Sequence, residues 1–147
     1  YKLGVMVETP RAVLRSAELA KVSSFLSFGT NDLTQMTYGL SRDDSGTFMR
    51  DYIANKIFSE DPFRSLDITG VGEFLRIASE RSRASNPNIK LCICGEHGGD
   101  PNSIEFCKEI GLDFVSCSPY RVPMARLGAA SPLSCSEDTD DKFISEY

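Results

Sequence analysis

Two rhythms of apolar residues alternate along this chain. Short unbroken runs at Val5-Met6-Val7, Phe25-Leu26-Ser27-Phe28, residues 90–94 and Phe114-Val115-Ser116-Cys117 predict four buried strands. Between them the spacing turns helical. Val13, Leu14, Ala17 and Ala20 predict an amphipathic helix over 10–22, opened by Thr9-Pro10 because threonine caps and proline suits the first helical position. Val71, Phe74, Leu75 and Ala78 predict a helix over 71–83, with Arg76, Arg81 and Arg83 on its solvated side. Ile104, Cys107 and Ile110 predict a helix from Asp100-Pro101 to the terminating Gly111, and residues 122–130 a closing one. Residues 33–69 are less regular: a short helix opening at Asp32, a charged turn over Ser41–Gly46, and a helix over 47–57 with Phe48, Tyr52 and Ile53 on one face. Asp61-Pro62-Phe63 breaks that helix. So long a connection with structure of its own is more often functional than idle.

Four strands alternating with helices mean a parallel α/β sheet with helical crossovers. Four such units form a small open sheet or half of an eightfold barrel. The strand ends favour the barrel, because three of them finish in polar residues. The first stops at Glu8, the second at Gly29-Thr30-Asn31-Asp32, and the third at Gly95-Glu96-His97-Gly98-Gly99-Asp100. Barrel enzymes build their sites at the carboxyl ends of many strands, whereas doubly wound sheets concentrate theirs at one switch point. The expected fold is therefore the second half of a (β/α)8 TIM-type barrel over residues 1–130.

Each polar strand end admits two readings. Glu8 and Asp32 lie 24 residues apart, about one strand–helix–strand repeat, and end adjacent strands. Two hard carboxylates with the remaining positions left to water and substrate suit Mg²⁺; alternatively each merely caps the helix that follows it. Asn31 is placed to hydrogen-bond a carboxylate or phosphate, or is simply a turn former. Cys94, between an apolar strand and a glycine-bearing loop, is either a proton-transfer thiol beside a metal or a small core residue. His97, the single histidine, is either an acid–base group or a support for its own loop.

Composition narrows the classes. The chain has 147 residues, 41% of them hydrophobic, about one domain's length, and no apolar run approaches the roughly 20 residues of a membrane span. Its net charge is −5, of which Glu137, Asp138, Asp140, Asp141 and Glu146 against Lys142 place −4 beyond residue 130. A nearly neutral body offers no basic footprint for nucleic acid. Residues 131–147 are expected to be a disordered acidic tail. Five cysteines without a CxxC pair predict free thiols in a reducing compartment rather than structural zinc. The chain opens on Tyr1, inside a predicted strand and without a signal sequence, so a piece of a longer intracellular, most simply cytoplasmic, polypeptide is expected.

The residues from Phe25 to Met36, Phe-Leu-Ser-Phe-Gly-Thr-Asn-Asp-Leu-Thr-Gln-Met, resemble the signature of enzymes that make or use phosphoenolpyruvate (PEP). Three further stretches resemble the pyruvate, phosphate dikinases within that family. They are Asp61-Pro-Phe with Leu66-Asp67 and Gly70-Val-Gly72, then Cys94-Gly-Glu-His-Gly-Gly-Asp-Pro101, then Val115 through Leu127. The resemblance runs from about Gly4 to Ala130. It implies the pyruvate half-reaction of a transferase, in which a phosphohistidine on another domain exchanges its phosphoryl group with pyruvate to give PEP. By matching position, Glu8 and Asp32 are implied Mg²⁺ ligands, and Glu8, Gly29, Thr30, Asn31 and Asp32 line the substrate. Cys94 is the implied proton-transfer group on the methyl carbon, and His97 and Gly95 support the loop. The Ser41–Ser45 turn is expected to order over the bound substrate.

The resemblance also implies absent parts: the first half of the barrel, the nucleotide-binding domain and the phosphohistidine domain, with a homodimer in the whole enzyme. The half-barrel alone should expose apolar sheet edges and not turn over. PEP synthase, enzyme I of the sugar phosphotransferase system, and a non-catalytic interface remnant are the competing readings. The last has no need of Glu8, Asp32 and Cys94 together.

Overall fold

The computed structural model describes residues 1–130; the expected acidic tail over 131–147 lies outside the described residues. Four strands form one parallel sheet in chain order: β1 (Gly4–Val7), β2 (Phe25–Gly29), β3 (Lys90–Cys94) and β4 (Phe114–Val115). Helices α1 (Pro10–Leu14) and α2 (Ser16–Val22) join β1 to β2. Helices α3 (Thr30–Tyr38), α4 (Arg42–Ala54) and α5 (Val71–Ser85) lie between β2 and β3, α6 (Pro101–Glu109) between β3 and β4, and α7 (Val122–Ala130) after β4. Short 3₁₀ turns at Glu96–Gly99 and Pro119–Arg121 precede α6 and α7. The expected α/β class, with four parallel strands and helical crossovers, is what the chain forms.

The core is where strands and helices meet. Leu26, Phe28, Leu91 and Ile93 from the two central strands, Val7 from β1, Val13 and Ala20 from the first crossover, and Val71, Leu75 and Ala78 from α5 are all fully buried. A buried side chain of this size contributes about 1.5–3 kcal/mol relative to exposure, so these positions fix the sheet's helix-covered face. α5 packs across both α1 and α2. The sheet edges are less protected: Met6 is 44% and Phe114 47% exposed. Among the described residues no helix is long and apolar enough to cross a membrane.

Three expectations need correction. The helix expected over 10–22 is two, because Arg15 leaves helical geometry at φ −105°, ψ 15° and separates α1 from α2. The turn expected over Ser41–Gly46 is helical. The Ser41 hydroxyl accepts the Asp44 amide as an N-cap, and Asp43 and Asp44 complement the positive end of the helix, so the charged cluster starts α4 instead of bending the chain. The last strand, expected over 114–117, pairs only through Phe114 and Val115.

Candidate functional site

The register brings the polar strand ends together. Val7 pairs with Phe28, which sets Glu8 beside Gly29, and Gly29 pairs directly with Cys94. The ends of β1, β2 and β3 are therefore consecutive along one rim. Gly29 is required there: a β-carbon on it would stand 2.7 Å from both Cβ and Oε2 of Glu8. The missing side chain leaves the room that the half-buried Glu8 carboxylate occupies.

At the end of β2 the chain turns straight into α3 with no side-chain cap from Gly29. The amides of its first turn consequently face the rim without an intrahelical acceptor, which favours an anion. Asn31 is partly buried, and its Oδ1 has no hydrogen-bond partner. Its Nδ2 would lie 3.0 Å from a β-carbon on Gly95, a residue whose φ of 98° independently favours glycine. Asp32 is exposed in the same first turn, and its Oδ1 accepts the Gln35 side-chain amide at 3.1 Å.

Cys92 and Cys94 share one face of β3 but differ in depth. Cys92 is buried against the Leu26 carbonyl, and burial raises its pKa. Cys94, at the rim, is only half-buried, with its thiol donating to the Phe28 carbonyl at 3.5 Å. Of the two, the one at the site is the accessible one.

His97 is fully buried, and both ring nitrogens face protein groups. Nδ1 meets the Thr30 hydroxyl at 2.7 Å and Nε2 the Pro62 carbonyl at 2.9 Å. Burial lowers its pKa, opposed by the Pro62 hydrogen bond and the charges of Asp100 and Glu96, while Arg42 lowers it further. Glu96 itself is held between Arg42 at 3.5 Å and Arg121 at 3.2 Å, which straps the 3₁₀ turn after β3 to the starts of α4 and α7.

Glu8 and Asp32 form no ion pair among the described residues, and no group of three or more His, Cys, Asp or Glu converges there. Two carboxylates without a third such group would suit a cation that keeps much of its water, as Mg²⁺ does. They do not fit an all-protein Zn²⁺ or Ca²⁺ cage.

Residues 1–132 match the family described as PEP-utilising enzyme, PEP-binding domain. The chain belongs to the PEP-utilising enzyme family. Its similarity to pyruvate, phosphate dikinases is high: 58% identity over 130 residues to the chloroplastic enzyme of Flaveria pringlei, covering 88% of this chain and 14% of that protein. The enzyme of Rhizobium meliloti (strain 1021) is also 58% identical over 130 residues, with the same 88% and 14% coverage. That of Clostridium symbiosum is 55% identical over 130 residues, covering 88% of this chain and 15% of that protein. The chain thus spans about one seventh of the curated relatives it matches.

Sequence reading missed three supports of the rim. Gln35 stands three residues after Asp32 on one helix, a spacing at which side chains meet, and so was detectable. The clamp of Arg42 and Arg121 on Glu96, and the Pro62 carbonyl on His97, join residues distant in sequence and carried no local signal.

Proposed function

We propose that this chain is the second half of a (β/α)8 barrel that binds PEP and pyruvate, and carries the pyruvate half-reaction of a pyruvate, phosphate dikinase. The observation that supports it most is the register: with Gly29 opposite Cys94 and Glu8 against Gly29, one carboxylate and an accessible thiol stand on neighbouring strand ends, and Asp32 follows in the first turn of α3.

Glu8 and Asp32 would hold Mg²⁺, whose charge, when bound, stabilises the enolate form of pyruvate. Asn31 and the first-turn amides at Thr30 bind the substrate carboxylate or the incoming phosphoryl group, and Gly29 leaves space for both Glu8 and substrate. The Cys94 thiolate takes a proton from the methyl carbon as the C–H electrons move into the C=C bond, and the enolate oxygen receives phosphorus from a phosphohistidine on another domain. In reverse, the thiol returns the proton to carbon. His97 and Gly95 hold the loop that follows Cys94. The nucleotide-binding and phosphohistidine domains and the homodimeric partner belong to the whole protein. Its compartment is the cytoplasm or, as in the relatives named chloroplastic, a plastid.

The test uses the full-length protein, with Mn²⁺ as the metal and oxalate in place of the enolate. Oxalate should bind calorimetrically only with metal, and Asp32→Asn should weaken it at least about tenfold. Cys94→Ala should keep oxalate binding but lose exchange of the pyruvate methyl protons with deuterated solvent. Metal-independent oxalate binding, or undiminished exchange in Cys94→Ala, would overturn the assignment.

A further inference from the structure

Thr30 and His97 are both fully buried, and they come from elements that follow different strands. The Thr30 hydroxyl is within reach of two groups: His97 Nδ1 at 2.7 Å and the carbonyl oxygen of Cys94 at 3.1 Å. The other ring nitrogen, Nε2, faces the Pro62 carbonyl at 2.9 Å. Donors and acceptors can be counted from chemistry alone. A carbonyl only accepts, so Nε2 must carry a proton. In a neutral ring Nδ1 is then bare, and the single Thr30 proton has two acceptors, Nδ1 and the Cys94 carbonyl. In a charged ring Nδ1–H donates to Thr30, whose hydroxyl proton is released to Cys94, and every group is matched. Burial opposes that charge; Asp100 at the start of α6 and Glu96 in the ring's own turn favour it, and Arg42 at the start of α4 opposes it.

With Nδ1 protonated the hydroxyl proton is free for the last carbonyl of β3; with Nδ1 bare the ring competes for it. We propose that Thr30 and His97 are positioning residues for Cys94, with the hydroxyl steered by the ring holding the Cys94–Gly95 peptide and so fixing where the thiol stands at the rim. The Pro62 carbonyl anchors the ring from the long connection before α5, so the device ties that connection, the β2 end and the β3 end into one unit. Gly95, at φ 98°, turns the chain immediately after the held carbonyl. The inference rests on the reading of Cys94 as the proton-transfer group, but the position of the thiol is measurable apart from catalysis.

In the full-length protein, the alkylation rate of Cys94 by iodoacetamide is read by peptide mass spectrometry beside methyl-proton exchange of pyruvate. Thr30→Val should change the alkylation rate about fivefold, the scale of one lost hydrogen bond. Thr30→Ser, which keeps the hydroxyl, should restore it. An unchanged rate in Thr30→Val, or a Thr30→Ser rate equally altered, overturns the proposal. A rate that responds while Cys94→Ala retains methyl exchange supports the positioning device and removes the proton-transfer reading instead. Where Thr30→Val fails to fold, nitrogen NMR of the unaltered protein decides, with His97 assigned by the loss of its signals in His97→Gln. Protons on both ring nitrogens support the network, and a neutral ring whose bare Nδ1 accepts the Thr30 hydroxyl overturns it.

Discussion

Gln35 donates its side-chain amide to Asp32 Oδ1 at 3.1 Å, one turn along α3. Its amide oxygen accepts the Arg42 backbone N–H at 2.7 Å, so a single side chain orients the Asp32 carboxylate and fastens it to the first residue of α4. A ligand held by an outer hydrogen bond loses affinity for its cation when that bond is removed, typically by 10–100-fold. Gln35→Leu is expected to weaken Mn²⁺ binding to the full-length protein by about tenfold, read by titration of the free ion. Equal affinity would show that Asp32 is oriented without it.

Gly29 leaves no space for a methyl group, since Cβ and Oε2 of Glu8 would both stand 2.7 Å from it. Gly29→Ala should therefore displace Glu8 and cost about 1–3 kcal/mol by overpacking, together with loss of divalent-ion affinity. Gly46 offers the contrast: it is exposed inside α4, with open space where a β-carbon would go. Gly46→Ala should raise stability by about 0.5–1 kcal/mol. The chain has no tryptophan, so urea unfolding followed by far-ultraviolet circular dichroism is the suitable measurement for both.

The outer strand carries a pH-dependent tie. Asp113 accepts from Lys90 Nζ at 2.6 Å and from the Leu91 amide at 3.0 Å, with Arg83 at 3.5 Å. Partial burial pushes its carboxyl up, but the Lys90 and Leu91 hydrogen bonds and the two cations together hold it below the ordinary value of 3.8. With the folded value depressed, this stabilisation is present above the ordinary carboxylate range and is lost as pH falls through the lowered value. Asp113→Asn should cost about 1 kcal/mol near neutral pH, and the difference from the parent should shrink in acid. A gap that persists unchanged at low pH would mean that charge is not the cause.

Tyr38 titrates late. Burial first, then the charge and hydrogen bond of Asp67, push its phenol from 10.0 to about 12. With the folded value raised, its contribution to stability is complete below about pH 10 and is lost as pH rises through about 12. Ultraviolet titration should show one tyrosine ionising well after the exposed Tyr1 and Tyr120. Asp67→Asn should bring it part of the way down and no further, because burial remains. Ionisation of Tyr38 together with the exposed tyrosines would contradict the pairing.

Periodicity made much of this architecture legible. The apolar run through Leu91, Cys92 and Ile93 marks β3 at both ends, and Asp100-Pro101 marks the start of α6 because capping is local chemistry. Gly29, Asn31 and Cys94 were readable as neighbours at the ends of β2 and β3 because strand ends are visible in one dimension. Where competing local signals met, the reading failed. Ser41 through Gly46 carries as many turn residues as helix-start residues, and helix formation there is supported by the Phe48–Tyr52 ring contact, with centroids 5.0 Å apart, and by Met49 burial. What could not be read is whatever links distant segments: the Pro62 carbonyl waiting for His97, and Arg42 and Arg121 meeting on Glu96.

The strands lie in the sheet in the order in which they occur in the chain, each one pairing with its predecessor. No strand has to wait for a later one to be inserted between itself and its neighbour. A ribosome delivering this segment amino end first supplies each strand to an edge that is already formed, with its crossover helix made on the way. The sheet can therefore grow during synthesis by simple addition at one side, so that only one of its two edges changes as each strand arrives.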